Sequence, residues 1–163
     1  MPNTVLKQSL VEGGAELLAE LTSGEASESY LQRWTKGRER EIGKAFLADV
    51  ASTDLKRWLY NGVGTPEKPG DLGYWVGYCI AKSYFTQAKD KRVAIKMLLE
   101  LRDPKKLLAD SGWKPGDSFA GRTVRAFPAP HDSRQRHILL TGAPCRAPCI
   151  LSIELPRSAK TVR

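Results

Sequence analysis

The chain has 163 residues, of which 41% are hydrophobic and 27% charged, a composition typical of one globular domain with a modest appendage. No stretch approaches the roughly 20 apolar residues that span a bilayer. The N-terminus also lacks the basic-then-apolar pattern of a secretion signal, so we expect a cytoplasmic protein without a membrane segment. Three cysteines are too few for a disulfide scaffold, and two histidines nearly exclude a metal site built on several imidazoles. The formal charge of +8 favours nucleic acid as a candidate partner, because nucleic acid is a polyanion.

The first third of the chain predicts helices. Apolar residues at helical spacing predict a helix over 4–22, which Gly24 ends. A second helical stretch covers about 27–51, and Gly37 is expected to break it. Thr53 or Asp54 is expected to cap a short helix through Tyr60.

The middle of the chain predicts a loop and three further helices. Residues 61–70 read NGVGTPEKPG and predict a loop, because Gly and Pro interrupt any periodicity. Asp71 and Asp90 are expected to cap helices that run to about Ala88 and Leu101. Asp103 followed by Pro104 predicts the start of the last helix. Residues 1–113 therefore predict an all-α, bundle-like domain of about five to six helices.

Residues 114–163 differ in composition from the segment before them. They hold nine basic residues, seven of them Arg, against three acidic residues, and six of the ten prolines. Because proline interrupts any periodicity, we expect an irregular, disordered basic tail. We expect this tail to bind nucleic acid only nonspecifically. The tail also contains four potential zinc ligands, but their spacing, H-x5-H-x7-C-x3-C, does not favour a zinc site. These four residues are His131, His137, Cys145 and Cys149.

Two patterns in the helical segment allow a functional interpretation beside a structural one. Glu12, Glu16 and Glu20 recur every four residues on one face of the first helix, beside Gly13 and Gly14, which cost about 1 kcal/mol each in a helix interior relative to Ala. Such glycines indicate close approach of another backbone or a ligand. The carboxylates allow a metal ligand or a general base, whereas the plainer interpretation is a solvated glutamate stripe.

The helix 71–88 carries a strip of small residues spaced by four, flanked by two tyrosines. Gly73, Gly77 and Ala81 make a smooth surface that a second helix can approach closely. Tyr74 and Tyr78 flank the strip. The pattern favours a tightly packed core helix with tyrosines at its rim over a catalytic tyrosine.

Four sequence words occur together and resemble a known family. They are SLVEGGAELLAELTSG (9–24), TDLKRWLYNG (53–62), DLGYWVGYCIAKSYF (71–85) and LLELRDPKKLLADSGW (98–113). In this order and spacing, they resemble the C-terminal half of a bacterial family of predicted zinc-dependent proteases related to gliding-motility lipoproteins.

The resemblance implies a helical metallopeptidase fold of the gluzincin type. In that fold an HExxH helix supplies two histidine ligands and a glutamate base, and a glutamate on a later helix completes the zinc site. The matching position is Glu12, and Glu16 is the candidate that orients a histidine from outside the ligand set. Tyr74 or Tyr78 is the candidate to polarise the scissile carbonyl of a peptide substrate.

The chain departs from this family in lacking any HExxH, and no histidine precedes His131. We therefore expect a truncated metallopeptidase-like chain that binds no zinc and is inactive alone, with a shifted reading frame after about residue 113. Self-association, or assembly with a separately made N-terminal half, would then be needed to complete a zinc site. The alternative is a stand-alone basic helical module that contacts nucleic acid or an acidic partner.

Overall fold

The computed structural model describes residues 2–24, 30–62, 64–65, 67 and 69–118. Over these ranges the chain contains six helices and no strand, which confirms the all-α prediction. The helices are α1 (Val5–Ser23), α2 (Tyr30–Thr35), α3 (Glu39–Asp49), α4 (Leu72–Gln87), α5 (Lys91–Glu100) and α6 (Pro104–Asp110). None of these six is long and apolar enough to cross a membrane.

Most of the predicted helix ends are confirmed. Gly24 takes the left-handed conformation after α1, with φ 77°, and Gly37 does the same between α2 and α3, with φ 83°. The Asp90 side chain caps α5, and the Asp103 side chain caps α6, whose first turn contains Pro104. These ends were predictable because each depends on a few adjacent residues.

Two local predictions are wrong. The segment expected to be a short helix up to Tyr60 forms turns instead, and Tyr60 itself is left-handed, with φ 58°, which a continuing helix does not allow. Asp71 precedes α4 but does not cap it with its side chain, because its own φ is 60°. Its Oδ1 accepts from Asn61 N (3.3 Å) while its N donates to Asn61 Oδ1 (2.6 Å), so the pair closes the loop 61–70.

The core is built around the contact between α1 and α4, against which the other helices pack. Gly13 and Gly77 let the two backbones touch: a Cβ on Gly13 would lie 1.9 Å from Tyr78 N, and one on Gly77 would lie 1.7 Å from Ser9 O. Ser9 near the start of α1 contacts Gly77 of α4, and Glu20 near the end of α1 contacts Lys82, which lies further along α4. The two helices therefore run in the same direction. The largest apolar side chains that are almost completely buried, with less than 2% of their surface exposed, are Leu10, Leu17, Phe46, Leu59, Ile80 and Phe85.

The described chain continues past the last helix to residue 118. Pro115 packs on α3, where a Cβ added to Gly43 would lie 2.8 Å from the Pro115 Cα. The boundary expected after Trp113 stays a prediction, and so does the irregular tail, since most of 114–163 lies outside the described residues. The four potential zinc ligands of the tail lie there too.

Candidate functional site

Polar side chains of α1 and α4 meet along the contact between the two helices. Glu12, Glu16 and Glu20 are spaced one turn apart on α1, and Tyr74, Tyr78 and Lys82 are spaced one turn apart on α4. Because the helices run in the same direction, Glu12 faces the Tyr74 end and Glu20 faces the Lys82 end. The end that contains Glu12 is partly exposed to solvent, and we call it the open end. The end that contains Glu20 is buried, and we call it the closed end.

The open end is a cluster around the Glu12 carboxylate. Glu12 Oε1 accepts from Tyr60 Oη at 2.5 Å and from Gln8 Nε2 at 2.9 Å, and Gln8 Nε2 also donates to Tyr60 Oη at 2.6 Å. The rings of Tyr60 and Tyr74 meet edge to face with centroids 6.4 Å apart. Tyr60 is 58% exposed, and Glu12 is half-buried. We call Gln8, Glu12, Tyr60 and Tyr74 the Glu12 cluster; it is open to molecules in solution.

The ionisation of this cluster is governed by the Glu12 charge and by burial. The hydrogen bond to Glu12 raises the pKa of Tyr60 above its usual value. Burial, followed by the negative charge of Glu12, raises the pKa of Tyr74 to about 12. Burial and the Glu12 charge also raise the pKa of Glu16. Both tyrosines are therefore neutral hydrogen-bond donors at physiological pH.

The closed end is a buried triad formed by Glu20, Tyr78 and Lys82. Lys82 Nζ contacts both carboxylate oxygens of Glu20, at 3.0 and 3.1 Å, and the Tyr78 oxygen at 2.6 Å. Tyr78 Oη donates to Glu20 Oε2 at 2.6 Å. The side chains of the ion pair are fully buried. Burial, together with the hydrogen bond to Glu20, raises the pKa of Tyr78 far above its usual value. The triad joins α1 to α4 at this end of the contact.

The structure divides the predicted site residues between the two ends. Glu12 and Tyr74 belong to the open cluster, Glu16 lies between the ends and is half-buried, and Tyr78 belongs to the closed triad. The interpretation of the glutamates as a solvated stripe does not hold for Glu20, which is 1% exposed. The expectation of tyrosines at the rim of the helix does not hold for Tyr78, which is 3% exposed.

Three members of these two groups were not predicted from the sequence. Tyr60 and Gln8 carry no motif that marks them, since Tyr60 reaches Glu12 only after the chain has folded back from residue 60 to α1. Lys82 did carry a signal, because it follows Tyr78 by one helical turn on a helix that is otherwise apolar. A lysine at that position requires a buried partner, and Glu20 is that partner.

The donor atoms of the open end do not make a zinc site on their own. Among the residues that the structure describes, no three His, Cys, Asp or Glu side chains are grouped closely enough to hold a metal ion. Glu12 and Glu16 offer carboxylates only, and Cys79 is buried with its pKa raised by that burial. Zinc in catalytic sites takes three protein ligands, commonly including imidazole.

Comparison with known proteins gives one family. Residues 44–115 match the sequence model of a family described as gliding motility protein GldB. The match covers α4, α5, α6 and most of α3, but neither α1 nor Glu12. No curated protein and no solved structure shows significant similarity to the chain. The match links the chain to gliding-motility proteins, the group to which the sequence words were related.

Proposed function

We propose that this helical domain is one side of a metallopeptidase-like site, to which Glu12 contributes a carboxylate and Tyr74 a hydrogen-bond donor, and that the chain alone does not hydrolyse peptides. The observation that carries the proposal is the open Glu12 cluster, where a half-buried carboxylate meets the exposed hydroxyl of Tyr60 at 2.5 Å. Apolar packing does not require such a cluster. The sequence words that resemble predicted zinc-dependent proteases support the same assignment for Glu12.

The chemistry of the cluster suits binding of a peptide carbonyl. Tyr74 keeps its proton at neutral pH, because its pKa is raised to about 12, and a neutral hydroxyl can donate to a carbonyl oxygen as negative charge develops there. Tyr78 is the weaker candidate for this role, since its hydroxyl already donates to Glu20 inside the protein. Tyr60, as an exposed donor to Glu12, would orient the carboxylate.

The rest of a complete site would come from residues outside this 163-residue sequence. The similarity to a gliding-motility family supports that process as the cellular context. Because the matched family is named for lipoproteins, it favours a location at a membrane surface over the cytoplasmic location expected from the sequence. The alternative, a basic module that contacts nucleic acid, depends on the tail and stays a prediction.

The test is a titration of the full-length chain with Co²⁺, followed by amide broadening in NMR spectra. Because Glu12 and Glu16 supply two carboxylates and the described residues supply no third protein ligand, we expect only weak binding, which broadens amides around these two residues and is lost in Glu12→Gln. The matched control is Glu41→Gln, an exposed carboxylate in the first turn of α3, which should leave the broadening unchanged. Broadening confined to other residues would overturn the role of Glu12.

A peptidase assay tests the second half of the proposal. A quenched fluorescent peptide library incubated with the zinc-supplemented chain should show no cleavage above the rate without protein. Zinc-dependent cleavage by the purified chain alone, retained after removal of contaminating proteases and abolished by Glu12→Gln, would show that the site is complete within this chain.

A further inference from the structure

A cleft of about 430 Å³ lies where the start of α1, the end of α3 and the start of α6 meet. Its volume falls in the range of small-molecule sites, about 300–1,000 Å³. At about 30 Å³ per water-sized group, it has room for a ligand of roughly a dozen heavy atoms. Its apolar wall is formed by Pro2, Leu6, Val50, Ala51 and Pro104.

Two lysines give the cleft its charge. Lys7 from α1 and Lys105 from α6 both line it, and neither forms an ion pair with any carboxylate of the described residues. Asp103 is the acidic residue in the lining, but its Oδ1 already accepts from Lys106 N at 2.9 Å as the cap of α6. The cleft therefore combines an apolar wall with two lysines and one aspartate, a formal net charge of 2 − 1 = +1, and neither lysine has an ion-pair partner among the described residues.

The backbone at the start of α1 does not contribute to anion binding here. Val5 N donates to Ser52 O at 2.8 Å, Leu6 N donates to Val50 O at 3.2 Å, and Lys7 N donates to the Thr4 hydroxyl at 3.3 Å. Because these N–H groups are already bound, an anion in the cleft would be held by the lysine side chains. Specificity would then depend on Lys7 and Lys105.

We propose that this cleft binds a small amphiphilic anion, an aliphatic carboxylate with a chain of about eight carbons. The chain would lie against the apolar wall around Leu6 and Pro104, and the carboxylate would lie between Lys7 and Lys105. A neutral chain would leave both cations unpaired, and a cationic amphiphile would be repelled by them. The site is independent of the Glu12 cluster and of its proposed function.

The test uses the full-length chain and three probes that share one alkyl chain: octanoate, 1-octanol and octylammonium. We expect octanoate to shift the amide signals of residues 4–7, 50–51 and 105 in a saturable way, with weaker effects of the other two. Three results would overturn the proposal. One is the absence of saturable shifts with octanoate, another is shifts confined to other residues, and the third is equal affinity for octanol or octylammonium.

Substitutions test separately how the two lysines and the apolar wall contribute to octanoate affinity. The double substitution Lys7→Gln/Lys105→Gln should weaken octanoate binding by about tenfold or more, as expected for loss of a charged hydrogen bond. The matched double substitution Lys44→Gln/Lys56→Gln removes two exposed lysines that do not line the cleft, and should leave affinity unchanged. Ala51→Trp fills the cleft and should abolish binding in a protein whose spectrum is otherwise folded. Equal affinity of the two double variants would contradict the role of the lysines.

Discussion

At the scale of single residues, the ion pair between Glu20 and Lys82 is a buried contact whose disruption would leave a charge without its partner. Both side chains are fully buried, and each is the other's charged partner. Burying a charge without a partner is expensive, whereas a paired and hydrogen-bonded charge is tolerated. Tyr78 completes the pairing by donating to Glu20 and accepting from Lys82.

We expect Lys82→Met to lower the free energy of unfolding by about 3–5 kcal/mol, because it leaves the Glu20 carboxylate buried without its cation. The measurement is urea unfolding at pH 7. The double variant Lys82→Met/Glu20→Gln should lose less than the sum of the two single variants, because it leaves no unpaired charge. Additive losses would show that the two groups are not coupled.

Tyr74 gives a prediction for alkaline pH. Its pKa is about 12 in the folded chain, above its ordinary value of 10.0, so the folded state holds the proton more tightly than the unfolded state does. The stabilisation is complete below pH 10 and is lost as the pH rises from about 10 to about 12. Tyrosinate absorbance should show a late-titrating group that Tyr74→Phe removes. An unchanged titration in that variant would contradict the assignment.

Glu16 gives a prediction of the same sign in a lower pH range. Burial and the Glu12 charge raise its pKa, so its stabilising contribution is present at low pH and is lost as the pH rises through the folded-state pKa. Glu16→Gln should therefore stabilise the protein at pH 7 and lose that advantage in acid. Unfolding curves at pH 7 and pH 4 measure it, with Glu41→Gln as the exposed control. A loss of stability at pH 7 would contradict the burial argument.

At the scale of helices, the approach of α1 to α4 depends on two glycines that lie opposite each other. Gly13 approaches Tyr78 N, and Gly77 approaches Ser9 O, at distances that leave no room for a side chain. Gly14 differs, because no described atom outside its own stretch of α1 lies within 4 Å of the position its Cβ would take. Close packing against α4 therefore requires a glycine at position 13 but not at position 14.

Gly77→Ala should destabilise the protein by about 3 kcal/mol, since the methyl group would have to force the two backbones apart. Gly14→Ala is the matched control and should be neutral, or stabilising by up to about 1 kcal/mol, because Ala is the better helix former. Thermal unfolding of both variants makes the comparison. Equal effects would show that close contact between the helices is not the cause.

At the scale of the whole molecule, charge is concentrated in the C-terminal 50 residues. The segment 114–163 carries a net charge of +6 of the total of +8. If the basic-module alternative holds, binding of the full-length chain to a DNA duplex should weaken by more than tenfold between 50 and 200 mM salt, because phosphate contacts release counterions. Fluorescence anisotropy measures it. Absence of binding at low salt would eliminate that alternative.

The helices and most of their ends were determined by the sequence itself, because caps and glycine stops act over a few adjacent residues. Asp90, Asp103, Gly24 and Gly37 acted where they were expected. The small-residue strip of α4 also indicated correctly that a helix approaches there, although the strip alone does not identify α1. Asp71 shows the limit, since its partner Asn61 lies ten residues away across a loop.

Which side chains contact one another was decided only by the tertiary structure. One-turn spacing places Glu12, Glu16 and Glu20 on the same face, but it does not tell which of them is buried. The parallel direction and register of α1 and α4 place Glu20 against Lys82 and leave Glu12 near the surface with Tyr60. A carboxylate beside a cation is part of the core, whereas the same carboxylate two turns earlier is open to a ligand. That difference depends on contacts between residues 48 to 62 positions apart, which no local pattern contains.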